Sequence, residues 1–194
     1  SNKTILMNKY KKKKKKRKRP YIDTKLYGQL LNEKNISFNP DEYTILFING
    51  QRDNPETKGG CMFLATLATL ELLNTNNWSV SKLRQIAYDQ VKENPFEDMD
   101  EEELQYFLDT ITINGTWGGD EALSAIAKAL NVNFYVMVYY KNNPPYIHEV
   151  LGAYDDNYSN GFLIWSGSHY DAFVRREVFS ILLDGLHEVI SNYE

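Results

Sequence analysis

The order in which two hydrophobic patterns occur along the chain limits its fold more than any other feature. Four short runs in the last third, "NFYVMVYY", "YIHEVL", "GFLIW" and "HYDAFV", are rich in aromatic and β-branched residues and read as strands. Upstream, "EYTILFING" also reads that way, as a strand from Tyr43 to Ile48. The remainder of the first part carries apolar residues at helical spacing. Residues 61–74 form one such pattern, 79–93 a second with Leu83, Ile86, Ala87 and Val91 on one face, and 101–113 a third with Leu104, Phe107, Leu108 and Ile111 inward. Asp100, with Glu103 three residues on, suits the start of the third, where carboxylates favour free amides and the positive end of the helix dipole. Another helix opens at Gly119 or Asp120. Near the start, "YIDTKLYGQLLNEKN" spaces Ile22, Leu26 and Leu30 four apart behind an Asp23 cap. Near the end, Val178, Ile181, Leu182 and Val189 keep helical spacing that Gly185 breaks or weakens. The "SGS" between the last two runs predicts an antiparallel hairpin over 161–174, with His169 at the start of its return strand. Helices first and strands after them predict an α+β layered domain, a small and mostly antiparallel sheet flanked by helices.

The chain has 194 residues and is 42% hydrophobic, enough for one domain with a sizeable core and cramped for two. Its charge is split. Residues 1–20 carry eleven Lys or Arg and no acid, leaving eleven basic against 26 acidic side chains in residues 21–194. We therefore divide the chain into a basic tail, 1–20, and a single acidic domain, 21–194. Like charges repel and the tail has no apolar periodicity, so it reads as solvated and flexible. Functional readings are a nuclear-import signal or an electrostatic contact with a polyanion such as nucleic acid, with a membrane surface or with an acidic partner. No apolar run is long enough for a signal peptide or a membrane span, so no membrane insertion is expected. One cysteine excludes an internal disulfide framework and a multi-cysteine zinc site, and it suits an intracellular, reducing compartment, cytoplasmic or nuclear. Abundant Asn, Lys and Tyr fit an AT-rich genome, such as that of a large virus, an intracellular bacterium or a protist; for the first two the compartment would be the host cell's.

That cysteine, Cys61, follows two glycines in "TKGGCMFLATLATLELL". The helix after it is apolar nearly all round and should be buried, and a cysteine in such a helix, taken alone, is a small hydrophobe. Its place at the very start of the helix points elsewhere, because free amides and the positive dipole end stabilise a thiolate. The glycines let backbone N–H groups turn toward the sulfur, as an oxyanion hole requires. A nucleophile also needs a base, and a base needs an orienter. Of three histidines, His148 in a strand and His187 in the final helix suit surface or satisfied-core roles. His169 begins "HYDAFV", where strand alternation puts it on the same face as Asp171.

Together, "GGCMF", the "TWGGDEALSAIAKAL" of residues 116–130 and the terminal "SHYDAFV" resemble, in order and spacing over residues 55–174, the ovarian-tumour (OTU) family of papain-like cysteine proteases. These are deubiquitinases, with an Asp-Gly-x-Cys-hydrophobic-Phe motif, a Trp-Gly-Gly segment before a helix, and a terminal His-Tyr-Asp or His-Tyr-Asn. The resemblance implies a papain-like OTU fold, with Cys61 as nucleophile, His169 as general base and acid, and Asp171 as its orienter. It also implies an oxyanion hole from backbone amides of Lys58, Gly59, Gly60 and Cys61. Trp117, Gly118, Gly119 and Ser168 would border the substrate channel, although Trp-Gly-Gly also reads as a plain structural turn. The implied partner is ubiquitin, polyubiquitin or a ubiquitin-like modifier, cut after its C-terminal glycine with no cofactor and no metal.

One position departs from the family pattern. Where the family has Asp three residues before the cysteine, helping to fix the oxyanion loop, this chain has Lys58. The lysine either sits near the thiolate or points to water. Glu56 and Asp53 are the nearest upstream acids that can support the loop instead, and Asp53 competes with Asp171 as the orienting acid. Acidic "EDMDEEE", 97–103, reads either as a contact for ubiquitin's basic face or as a solvated helix start. Two other functions stay open: a catalytically degenerate OTU-like module that only binds ubiquitin, and a nuclear or nucleic-acid-associated scaffold that works through its basic tail.

Overall fold

Every residue of the strand Val132–Val138 is buried, which requires cover on both faces of the sheet. Its side chains alternate between two cores. Val132, Phe134 and Val136 join one with the helical Met62, Leu83, Leu123 and Leu182, while Tyr135 and Met137 join a second with Tyr27 and Leu31. The computed structural model describes residues 23–48, 54–73, 75–140 and 143–191. The basic tail, Ile22 and Asp53 lie outside the described residues.

Five strands make one mixed sheet: β1 (Tyr43–Leu46), β2 (Val132–Val138), β3 (Tyr146–Leu151), β4 (Ser159–Trp165) and β5 (Tyr170–Arg175). Their spatial order is β1-β5-β4-β2-β3. β3 turns back along the outer edge of β2, so the next reversal brings β4 down the other side of β2 in the same direction. This makes β2–β4 the one parallel pair among otherwise antiparallel neighbours. The expected hairpin is β4–β5.

The helices are α1 (Thr24–Glu33), α2 (Cys61–Thr69), α3 (Val80–Glu93), α4 (Glu101–Thr110), α5 (Asp120–Leu130) and α6 (Phe179–Ser191), with 3-10 turns at Pro40–Glu42 and Arg176–Val178. Caps fall where side-chain chemistry predicts. Asp23 accepts from the Lys25 N–H at 2.9 Å, Ser79 from Lys82 at 3.0 Å and Asp100 from Glu103 at 2.8 Å. Met62 to Ala68 of α2 are all buried, and the helix packs on β5 and β4.

Four details differ from the sequence reading. α1 turns Tyr27 and Leu31 inward and leaves Leu26 exposed. The Tyr27 ring stacks on Phe173 at 4.1 Å and its hydroxyl donates to the Tyr135 carbonyl at 2.7 Å, a body-and-tip fit that leucine spacing does not reveal. α2 stops at Thr69 rather than at residue 74, because Glu71 takes a left-handed φ of 61° and Leu72 N–H reaches back to the Leu67 carbonyl at 2.7 Å. β1 ends at Leu46, before Ile48. Gly185 does not break α6, which runs through it, and Ile181 faces solvent while Leu182 and Leu186 are buried.

Candidate active site

Cys61 is the first residue of α2, and Gly60 before it makes no side-chain capping bond, so the first-turn amides are left for an outside acceptor. Gly59 is fixed in a left-handed conformation, φ 68°, where a Cβ would come within 2.5 Å of the Gly115 carbonyl oxygen. Only glycine meets both demands.

The hairpin brings the other two groups. Ser166 N–H donates to the His169 carbonyl at 3.0 Å, closing the turn that delivers His169 to the head of β5. Its Nε2 lies 3.0 Å from Asp171 Oδ1. The same oxygen accepts from the Ile48 N–H at 2.7 Å, so the carboxylate is anchored to the chain just beyond β1 as well as to the imidazole. The Cys61 side chain lies close enough to His169 to act on its titration. With Nε2 engaged by Asp171, Nδ1 is the ring nitrogen left for a second partner. The hydrogen bond to Asp171 and then the influence of Cys61 raise the His169 pKa to about 9 against the opposing effect of burial, which favours the imidazolium at neutral pH.

Beside Cys61 lies a cavity of about 420 Å³. Trp117, Gly118, Gly119 and Ser168, expected from the sequence to border the substrate, all line it, along with Gly59 and Cys61. Gly118 is pressed onto α2: a Cβ there would meet Met62 Cε at 2.4 Å and Phe63 Cε2 at 3.0 Å. The Trp117 ring itself is 71% exposed, at the rim.

By sequence, no family model and no curated protein matches the chain. Solved structures do. An OTU deubiquitinase from Wolbachia pipientis wMel superposes with a TM-score of 0.55 at 18% identity, over 77% of this chain and 98% of that one. The OTU domain of OTUD1 gives 0.53 at 19% identity, over 78% and 93%. The Hazara virus OTU, solved bound to ubiquitin, gives 0.50 at 18%, over 70% and 82%. The chain has the OTU fold.

Within this fold the loop before Cys61 is organised by a residue the sequence reading passed over. Asn54, 5% exposed, accepts through Oδ1 from the Glu56 and Thr57 amides at 3.0 and 3.4 Å, and donates through Nδ2 to the Val189 carbonyl at 3.2 Å. An Asx turn tied to α6 therefore supports the loop, a role the sequence left open between Glu56 and Asp53, the latter outside the described residues. The one available signal was Asn before Pro in a turn-rich stretch. Lys58 is exposed, which selects the water-facing alternative for its side chain.

The expected oxyanion donors need a correction. The Lys58 amide donates to the Asn54 carbonyl and the Gly60 amide to the Thr57 carbonyl, both at 2.8 Å. They are consumed in shaping the loop, which leaves Gly59 and Cys61 as the available amides of that set.

Asp120, Tyr146, His148 and Tyr170 also line the cavity. His148 Nε2 is 2.7 Å from Asp120 Oδ1, and both side chains are largely exposed, at 45% and 64%. The exposed-surface reading of His148 holds, but its position on the cavity was not legible: it depends on the β2–β3 register that sets His148 opposite Val136. Tyr170 also lines the cavity, and its pKa is pushed up to about 12 by burial and by the charges of Asp120, Cys61 and Glu121. Among the described residues no cluster of three or more His, Cys, Asp or Glu can hold a metal, and no helix is long and apolar enough to cross a membrane.

Proposed function

We propose that the protein is a cysteine-type deubiquitinase that hydrolyses the isopeptide bond after the C-terminal glycine of ubiquitin or a ubiquitin-like modifier. The observation that carries this reading is a helix-starting cysteine close to an imidazole that is hydrogen-bonded to an anchored carboxylate, beside a cavity partly walled by glycine. In the reaction the Cys61 thiolate attacks the glycine carbonyl carbon, and the developing oxyanion is held by the Gly59 and Cys61 amides. The His169 imidazolium protonates the departing lysine amine as the C–N bond breaks, leaving a thioester. Neutral His169 then takes a proton from water, the hydroxide attacks the thioester, and the thiolate leaves as the free carboxylate forms. Asp171 keeps the ring oriented throughout.

Recognition follows the same geometry. A cavity bordered by Gly59, Gly118 and Gly119 suits a tail whose last residues lack side chains. Residues 97, 98 and 100–103 are exposed and acidic, and the charge of Glu121, next to Asp120 on the cavity, is felt both at Glu103 and at Tyr170. The acidic face thus extends toward the cleft and complements a modifier whose tail and adjoining face are basic. Solved OTU domains in complex with ubiquitin, including those from Wolbachia and Hazara virus, support that choice of partner.

A ubiquitin probe with a thiol-reactive electrophile in place of its C-terminal carboxylate tests the reading. Covalent capture that disappears in Cys61→Ala is the expected result. Tight non-covalent binding without capture would favour the degenerate ubiquitin-binding module. No interaction would remove the deubiquitinase reading and leave the scaffold function of the tail, now on a body with the OTU fold.

A further inference from the structure

Arg84 is a cation in the core. It lies on α3 between Leu83 and Ala87 and is 1% exposed. Nη1 donates to the Ile111 carbonyl at 3.1 Å and Nη2 to the Thr116 carbonyl at 2.8 Å, while the guanidinium carbon stands 4.6 Å from the centre of the Phe63 ring. Its Nε is buried without a hydrogen-bond partner, and burial lowers the pKa of the group. No carboxylate pairs with it among the described residues.

A buried cation held only by carbonyl dipoles and a ring face is a costly way to fill space, and methionine or leucine would fill it more cheaply. What those residues cannot do is grip two carbonyls at once in a planar fork. The two carbonyls mark the ends of the segment 111–116, which leads directly into Trp117, Gly118 and Gly119 on the cavity. The segment is also braced against the nucleophile loop, since Gly115 N–H donates to the Lys58 carbonyl at 3.0 Å. Phe63, under the guanidinium, is the same ring on which Gly118 packs. Arg84 therefore grips the segment that leads into the wall of the cavity and packs on the helix that Cys61 starts, and its bonds go to neither Cys61 nor His169.

We propose that Arg84 is a positioning residue that fixes the wall 115–119 at a set distance from Cys61 and so sets the width of the channel that admits a diglycine tail. The proposal rests on the deubiquitinase reading for its substrate. The Cys61–His169–Asp171 line is itself held through α2, β5 and Ile48, and Arg84 reaches it only through the Phe63 ring. Loosening the wall should therefore harm tail binding and tail selectivity and leave thiol chemistry alone.

The test compares wild type with Arg84→Met and Arg84→Lys on a ubiquitin C-terminal amide substrate, and on the same substrate with alanine as its penultimate residue. Arg84→Met should raise KM about tenfold with kcat within about threefold, and should narrow the preference for glycine over alanine. Alkylation of Cys61 by iodoacetamide, which needs no channel, should be unchanged. Amide hydrogen exchange should quicken over 111–119 and stay as in wild type over β2. Unchanged KM and selectivity, unchanged exchange over 111–119, or parallel losses of kcat and alkylation would each overturn the proposal. If the methionine variant does not fold, Arg84→Lys, which keeps the charge and stem but cannot fork to both carbonyls, is read by the same criteria. If wild type cleaves neither substrate, the deubiquitinase reading falls, and the exchange and alkylation arms still decide whether Arg84 holds the wall.

Discussion

His169 and His148 each set Nε2 against a carboxylate oxygen, at 3.0 Å to Asp171 and 2.7 Å to Asp120; the first pair lies close to Cys61 and the second lines the cavity beside it. The shorter contact belongs to the more open pair. His148 and Asp120 are 45% and 64% exposed, on an edge strand and the first turn of α5, whereas His169 and Asp171 are 29% and 11% exposed at the head of β5. The buried pair is also acted on from both sides: the Ile48 amide holds the carboxylate, and Cys61 helps to raise the pKa of the imidazole. The comparison teaches that a His–carboxylate distance does not assign a role. Anchoring, burial and what faces the second ring nitrogen do.

The largest difference between the pairs should appear in turnover. Cys61→Ala and His169→Ala should each abolish cleavage of a ubiquitin substrate while the fold is retained, because attack and leaving-group protonation both depend on them. His148→Ala removes the same kind of side chain from the cavity beside Cys61 and should act on tail binding, raising KM with kcat within about threefold. Equal loss of kcat in His148→Ala and His169→Ala, with both proteins folded, would erase the distinction.

The acids should follow, with a smaller gap. Asp171→Ala should lower kcat by on the order of 10²-fold or more, the cost of an orienting carboxylate in a triad, whereas Asp120→Ala should act mainly on KM. Glu56→Ala should change little, since Asn54 organises that loop through its own side chain. If Asp53→Ala proved more harmful than Asp171→Ala in a folded protein, the orienting acid would belong to the nucleophile loop and the assignment of Asp171 would be wrong.

The pH profile separates the pairs next. The His169 pKa is raised to about 9, so the imidazolium that protonates the leaving amine persists through neutral pH and is lost as pH climbs through that value. The alkaline limb of kcat/KM should therefore fall near pH 9. Its first cause is the bond to Asp171, so in Asp171→Ala the limb should move down toward the ordinary histidine value of about 6.5. In Asp120→Ala it should stay in place. A limb that moved in Asp120→Ala and stayed put in Asp171→Ala would reverse the roles of the two carboxylates.

How far these pairs were legible in the sequence follows from how local each one is. His169 and Asp171 sit two residues apart on a strand, a spacing that alternation alone converts into one face, and Cys61 is marked by its glycines and by the buried helix it starts. His148 and Asp120 are far apart in the chain and meet through the packing of β3 against α5, which no short pattern encodes. Asn54 and Arg84 were missed for a related reason. Their partners are backbone carbonyls and amides, which every residue possesses, so nothing in the sequence marks the recipient. The five strands were readable because aromatic and β-branched runs are dense there. The order β1-β5-β4-β2-β3, with its parallel β2–β4 pair, depends on where β3 turns and is not written in any one run. α1 misled because its inward face is set by Tyr27, whose hydroxyl needs the Tyr135 carbonyl, rather than by leucine spacing.

The smallest expected effect concerns what the open pair contributes to stability. An exposed ion pair gains little in high dielectric and must restrain two side chains, so a double-mutant cycle of His148→Ala and Asp120→Ala should give a coupling of about 0–1 kcal/mol. Chemical denaturation of the four proteins at neutral pH measures it, provided the denaturant slope is the same in all four. A coupling above about 2 kcal/mol, beyond what exposed pairs supply, would mean that β3 and α5 are held together through this contact. The pair would then be a structural clasp for the Trp117–Asp120 side of the cavity, and the rise in KM expected for His148→Ala would reflect a displaced wall. With weak coupling and a raised KM, the same two side chains act at the surface they present to the substrate tail.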